Sequence, residues 1–265
     1  MATEILNSDS IASNLKTTRI GREILVYAST ASTNDAAWHY ASNKKNDGLA
    51  IFAEEQSAGR GRGGNTWLSQ KGRSVLCSIL LLNETCQPEM LTLAAAVAVA
   101  EAIGRCGSGQ ARIKWPNDIL IGGKKVAGIL LESKRSKGHF NYVIGIGINC
   151  HQKTESFPTE LRSLATSIDI ESKTTGDRIS LAKRLLVSLD DWLDEIKKES
   201  NAVLDRWYQL SVQCGHRVTL QYNRRTFTGR VLGIDPREGL IVQLENGGVR
   251  MFSAAHTAMV RSDDE

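Results

Sequence analysis

Between Gly59 and Gly64 the chain reads Gly-Arg-Gly-Arg-Gly-Gly, four glycines and two arginines in six residues. Helix and strand interiors reject that density of glycine, because glycine loses more backbone freedom on ordering than any other residue. The run is therefore a loop. Its missing side chains let a ligand approach the backbone closely. Each arginine adds a planar fork of donors matched to carboxylate and phosphate oxygens. Such a loop suits a small molecule carrying concentrated negative charge.

The flanking segments set this loop in a mixed α and β chain. Residues 24–27 read as a strand, and Ser32-Thr33-Asn34 offers capping side chains to a helix reaching about Ser42. Residues 49–53 form a short buried strand that runs into the loop, and residues 75–82 form a second apolar strand. Pro88 opens and Gly104 closes a helix so rich in Ala, Val and Leu that it packs inside the molecule. Further strands are expected at 112–115, 119–121, 126–132 and 142–149, with Gly122-Gly123 turning a hairpin. Over 179–197, Leu185, Leu186, Leu189, Leu193 and Ile196 share one side of a helix. Near Cys214 the pattern changes to short alternating strands at 218–222, 226–234, 240–244 and 249–253. The expected organisation is a polar, loosely structured lead-in over 1–20, a main domain over 21–213 and a small appended β-barrel over 214–265.

Bulk properties exclude several classes. A chain of 265 residues holds one large domain or a large one with a small one. The net charge of +4 fits an anionic ligand but is too small to argue for nucleic acid by itself. Five cysteines without a C-x-x-C pair read as reduced thiols, and the five histidines lack metal-ligand spacing. The start is polar, and the most apolar stretch, 91–103, is too short to cross a bilayer. A cytoplasmic protein with no membrane segment is expected.

Gly59, Gly61 and Gly64 also spell G-x-G-x-x-G, but the dinucleotide fingerprint needs a helix at its third glycine. Asn65-Thr66-Trp67-Leu68 follows instead. A phosphate-binding Walker loop fails as well, because no Gly-Lys-Ser/Thr follows. Lys114-Trp115-Pro116-Asn117-Asp118 forms a rigid corner, since Pro116 pushes Trp115 towards an extended conformation; an ordinary Asn-Asp turn is the alternative. Lys125 enters the apolar run ending at Glu132, either as a snorkelling edge residue or as a charge aimed into a pocket. Gly145-Ile146-Gly147-Ile148-Asn149 ends a strand, permitting either close backbone approach or a β-bulge.

In this order the four motifs, with Ser32-Thr33-Asn34 and Gln56 before them, resemble the biotin–protein ligase family. The likeness covers roughly residues 25–150, and the terminal β-domain fits it. It implies an α+β fold: a mixed β-sheet catalytic domain with flanking helices, of the class II synthetase and biotin-ligase type, plus a C-terminal SH3-like β-barrel. It also implies ATP-dependent, magnesium-requiring formation of biotinyl-5'-AMP, then transfer of biotin to a lysine of a biotin carboxyl carrier protein. By that resemblance Ser32, Thr33, Gln56, Gly59, Arg60, Lys125, Gly128 and Gly145 would line biotin. Arg62, Trp67, Asn117 and Asn149 would take ATP, Trp67 against the adenine and Asn149 near the metal.

Arg60, Arg62 and Lys125 would offset the repulsion between biotin's carboxylate and the α-phosphate. One such pair at about 4 Å costs roughly 4 kcal/mol at an effective dielectric near 20, about a thousandfold in rate. Asp118 is the candidate to take the proton of the attacking lysine. About twenty polar residues precede the first strand, too few for the winged helix-turn-helix of the family's DNA-binding members. A monofunctional enzyme without specific DNA binding is expected, with a homodimer left open. The alternatives are a lipoate or octanoate ligase on a related fold and a single-stranded nucleic-acid-binding module.

Overall fold

The computed structural model describes residues 5–262 apart from 137, 174, 199 and 200. Its strands are β1 (Ile24–Tyr27), β2 (Ala50–Ala53), β3 (Ser74–Glu84), β4 (Arg112–Lys114), β5 (Asp118–Ile121), β6 (Lys124–Ser136), β7 (His139–Asn149), β8 (Arg217–Tyr222), β9 (Arg225–Asp235), β10 (Gly239–Leu244), β11 (Val249–Phe252) and β12 (Thr257–Ser262). The helices are α1 (Ser8–Ala12), α2 (Thr33–His39), α3 (Pro88–Gly104), α4 (Ile168–Ser172), α5 (Arg178–Glu195) and α6 (Ala202–Leu210).

Seven strands form one mixed sheet in the order β1-β2-β3-β7-β6-β5-β4, with β1 parallel to β2 and the other neighbours antiparallel. Successive side chains of a strand point to opposite faces, and both faces of β3 are covered. Val75, Cys77, Ile79 and Leu81 enter the main core with α3 and α5, whereas Leu80 and Leu82 join a smaller core with Ala36 and Ala37 of α2. Double burial explains why β3 reads as a continuous apolar run. Helix α3 is apolar all round because it is surrounded, by the sheet on one side and by α5 and α6 on the others.

Pro88 occupies the first turn of α3, as its fixed φ favours, and Gly122 and Gly123 turn the β5–β6 hairpin with φ of 55° and 79°. Among the described residues no helix is long and apolar enough to cross a membrane. The last five strands form a separate antiparallel sheet in the order β11-β10-β9-β8-β12.

The lead-in departs from expectation. Residues 5–20 are anchored, with Leu6, Ile11 and Ile20 buried. Asp190 of α5 accepts the backbone N–H groups of Thr18, Arg19 and Ile20 at 2.6, 2.9 and 2.8 Å, and Glu54 accepts that of Leu6 at 2.6 Å. Three scattered apolar residues supply the burial, and the carboxylates that fix the backbone lie far along the chain.

Candidate active site

A chamber of about 390 Å³ opens on the α2 side of the sheet. Its floor is set by strand register. Ser78 of β3 pairs with Gly145 of β7, and Gly147 pairs with Gly128 of β6, so a hydroxyl and three glycines share this side. The glycines are required by close approach: a Cβ at Gly145 would overlap the Asn34 carboxamide, and one at Gly147 would overlap the Trp67 indole. The first turn of α2 lies above them. The Thr33 N–H and hydroxyl donate to Gln56 Oε1 at 2.7 and 2.9 Å, and the Ser78 hydroxyl lies 2.6 Å from Asn34 Oδ1. Ser32 caps α2 by its backbone position alone, so its hydroxyl is not spent on the helix. The floor is thus neutral, buried and rich in hydrogen-bonding groups.

The inner wall is cationic. Lys125 Nζ sits 2.6 Å from Asp118 Oδ1 and 5.6 Å from the centroid of the Trp67 ring. Arg62 donates from Nη2 to the carbonyl of Ala254 in the terminal domain at 2.6 Å, and its Nη1 lies 3.5 Å from Asn117 Oδ1. Burial pushes Arg62 and Lys114 below their ordinary values, while the negative charge of Asp118 pulls both upward. Three cations therefore bear on one carboxylate. Thr257 and Ala258 complete the wall from the terminal domain.

The outer rim reverses that ratio. Arg60 grips Asp35 through both guanidinium ends at 2.7 and 2.8 Å and also donates to Glu132 at 2.9 Å. Trp38 Nε1 donates to the other Glu132 oxygen at 2.9 Å. Burial pushes the Glu132 carboxyl up, but hydrogen bonds from Trp38, Arg60 and Asn34 outweigh it and leave the group below the usual carboxylate range. The Arg60 hydrogen bonds hold Asp35 low too. Two carboxylates here close on one guanidinium, with Lys134 acting on Asp35 from farther away.

Ser32, Thr33, Gln56, Arg60, Arg62, Trp67, Asn117, Asp118, Lys125, Gly128 and Gly145 all border this one chamber. Three expectations change. Gly59 lies behind the wall, where a Cβ would come within 2.5 Å of the Trp67 carbonyl and 3.0 Å of Gln56 Nε2, so it serves loop packing. Asn149 does not reach the chamber: it is buried, donating to the Thr166 carbonyl at 3.0 Å and accepting from Gln152 at 3.2 Å. Arg60, expected to line biotin and to offset the repulsion at the α-phosphate, is held by two carboxylates, Asp35 and Glu132.

No group of three or more His, Cys, Asp or Glu among the described residues is placed to hold a metal ion. Asn149 Oδ1, the oxygen expected near the metal, accepts from Gln152 at 3.2 Å, so among the described residues no set of protein ligands for magnesium is in place. The sequence reading missed Asp35 and Glu132, which gain meaning only from their convergence on Arg60. It missed the floor roles of Ser78 and Asn34 and the contribution of residues 254–258. Asn34 carried a signal, since it stands inside the Ser-Thr-Asn motif.

A family model described as Biotin/lipoate A/B protein ligase family matches residues 26–149, and one described as Biotin protein ligase C terminal domain matches residues 214–256. The bifunctional ligase/repressor BirA of Bacillus subtilis is 34% identical over 94% of this chain and 78% of that protein. The biotin–[acetyl-CoA-carboxylase] ligase of Mycobacterium tuberculosis is 31% identical over 76% of this chain and 75% of its own length. The biotin protein ligase of Aquifex aeolicus, solved in complex with biotin and ATP, superposes with a TM-score of 0.78 at 26% identity and covers 91% of this chain and 100% of that one. The ordered motifs, the mixed sheet with its appended β-domain and these likenesses agree: the chain belongs to the biotin protein ligase family.

Proposed function

We propose that the chain activates biotin as biotinyl-5'-AMP and transfers it to a lysine of a biotin carboxyl carrier protein. One observation carries the reading: a neutral hydrogen-bonding floor and a cationic inner wall meet in a single chamber. Biotin's ureido ring needs donors and acceptors, and Ser32, Thr33 and Gln56 supply them. A lipoyl or octanoyl chain has no use for such a floor and would want an apolar channel.

The carboxylate end then faces Arg62 and Lys125, where the α-phosphate of ATP must also come. A carboxylate oxygen bonds to phosphorus as the bond to pyrophosphate breaks, so negative charge grows on the phosphoryl oxygens. Arg62 is half-buried, and a guanidinium out of bulk water stabilises that charge more strongly than an exposed one. Trp67 and Asn117 are the groups this reading assigns to the nucleotide. Magnesium would be held chiefly by the nucleotide's own phosphates, since this ion keeps much of its water and takes few protein ligands, and would help Arg62 and Lys125 offset the phosphoryl charge.

In transfer, the acceptor lysine's nitrogen bonds to the activated carbonyl carbon and AMP leaves. The free amine form costs roughly 4.6 kcal/mol at pH 7 for a lysine of ordinary pKa near 10.4. Asp118, beside Lys125 in the chamber, is the carboxylate assigned to take the proton. The reading includes a cytoplasmic setting, where the free thiols stay reduced, and a role without specific DNA contact.

Pyrophosphate release with ATP and magnesium, measured in parallel with biotin, lipoate and octanoate, tests the reading. Release with biotin at least about tenfold above the others is expected from the floor's hydrogen bonds. Equal or greater release with lipoate or octanoate would reverse the assignment, and salt-sensitive oligonucleotide binding without any release would replace it with nucleic-acid binding.

A further inference from the structure

The glycine–arginine loop pairs chiefly with itself. Trp67 N–H donates to the Gly59 carbonyl at 3.0 Å, Gly61 N–H to the Asn65 carbonyl at 2.7 Å and Asn65 Nδ2 to the Arg62 carbonyl at 2.9 Å. Gly63 and Gly64 turn its tip with φ of 64° and 82°, and a Cβ at either would meet nothing within 4 Å. A flap built this way is held to the body by side chains. On the outer side that means Arg60, fastened to Asp35 at the start of α2 and to Glu132 on β6.

Both carboxylates sit below the usual range, so the fastening is fully charged at neutral pH. The three side chains are 39%, 49% and 26% exposed, and water weakens ion pairs this open. The two-pronged grip and the second carboxylate strengthen it again. The result is a fastening firm enough to favour one position and weak enough to open within a catalytic cycle.

We propose that Asp35 and Glu132 are positioning residues that latch the loop through Arg60 and so retain the activated intermediate until the acceptor arrives. The inference rests on the proposed chemistry for what is retained, but not for the latch itself. A mixed anhydride is lost whenever water reaches it or it diffuses away, so a closed roof has a direct chemical use. Neither carboxylate needs to touch the substrate. Each acts by lowering the open population of the flap.

The test uses the full chain with an arginine-specific endoprotease, scored by mass spectrometry at the Arg62–Gly63 bond, whose arginine the variants do not touch. Cleavage of a briefly opened loop tracks its open population. Asp35→Asn and Glu132→Gln should each raise the cleavage rate about threefold and together about tenfold, as weakened surface ion pairs would. Escape of biotinyl-AMP into solution should rise in step. A second arm needs no variant: raising salt from about 0.05 to about 0.5 M should speed wild-type cleavage and barely change the double variant.

Cleavage unchanged in the variants and in salt would overturn the latch. So would faster cleavage without faster escape, because the loop would then open without consequence for the intermediate. A wild-type chain that makes no biotinyl-AMP would instead sink the functional reading, while the cleavage rates still decide whether the latch exists.

Discussion

Arg60 and Arg62 stand two residues apart in one glycine-rich loop, yet their surroundings are opposite. Arg60 is shared by Asp35 and Glu132 at the open rim, its charge already answered. Arg62 is half-buried at the inner wall, bonded to a neutral carbonyl and an amide, with Lys114 and Lys125 beside it and one carboxylate, Asp118, among the three. The contrast teaches that residue type does not assign a role. An arginine whose charge is answered by acids holds structure, and one held by neutral groups keeps its charge for a ligand.

The sharpest way to break that contrast is at the inner wall. Arg62→Ala and Lys125→Ala should each slow adenylate formation by about a hundred- to a thousandfold, the usual loss when a preorganised charge-stabilising group is removed. Rapid-quench measurement of biotinyl-AMP in folded variants checks this, and near-normal rates would remove the inner wall from the chemistry.

The floor should respond differently. Gly145→Ala places a methyl group where the Asn34 carboxamide lies and disturbs the buried bonds to Ser78 and Thr33. Displacing one such buried group costs about 1–3 kcal/mol. The biotin KM should therefore rise by about ten- to a hundredfold with little change in that for ATP. A rise in both together would mean that floor and wall are not separate.

Much of this was legible in the sequence. The glycine–arginine loop, the Lys-Trp-Pro-Asn-Asp corner and the Gly-Ile-Gly-Ile-Asn strand end each carry a local signature, and their order placed them in one chamber. Helix α3 was legible for the same reason, with Pro88 at its start and Gly104 at its end. Tertiary pairing was not. Asp35 and Glu132 are ordinary acids until the fold brings them to Arg60. Asn149 looked available because it closes the strand end that carries Gly145 and Gly147, yet the carbonyl of Thr166 consumes its amide. Helix α6 buries Val203, Trp207 and Leu210 on one side, but it is too short for periodicity to separate it from its surroundings. β12 follows a short helical turn at residues 254–256 that breaks the alternating pattern.

A remote site offers a control on stability. Asp190 is pushed up by burial, but backbone bonds from Thr18, Ile20 and Arg19 outweigh that and hold it below its ordinary value. As pH falls the unfolded chain therefore takes up this proton first. The stabilisation is complete above the unfolded value near 3.9 and is lost as pH drops through the lower folded value. Asp190→Asn should cost about 1–3 kcal/mol at pH 7 in chemical denaturation, with the difference narrowing in acid. Rates per folded molecule should not change, and a changed rate would tie the lead-in to the chamber.

Within the chamber the smallest expected effect on chemistry belongs to Arg60→Ala, less than about tenfold in adenylate formation, since its ion pairs lie at an exposed rim. The direct test sets the two arginines side by side: single-turnover formation and release of biotinyl-AMP by the unmodified chain, Arg60→Ala and Arg62→Ala. The account predicts that Arg62→Ala forms the intermediate at least about a hundredfold more slowly, whereas Arg60→Ala forms it readily and releases it early. Equal slowing by the two substitutions, or no intermediate from the unmodified chain, would contradict it.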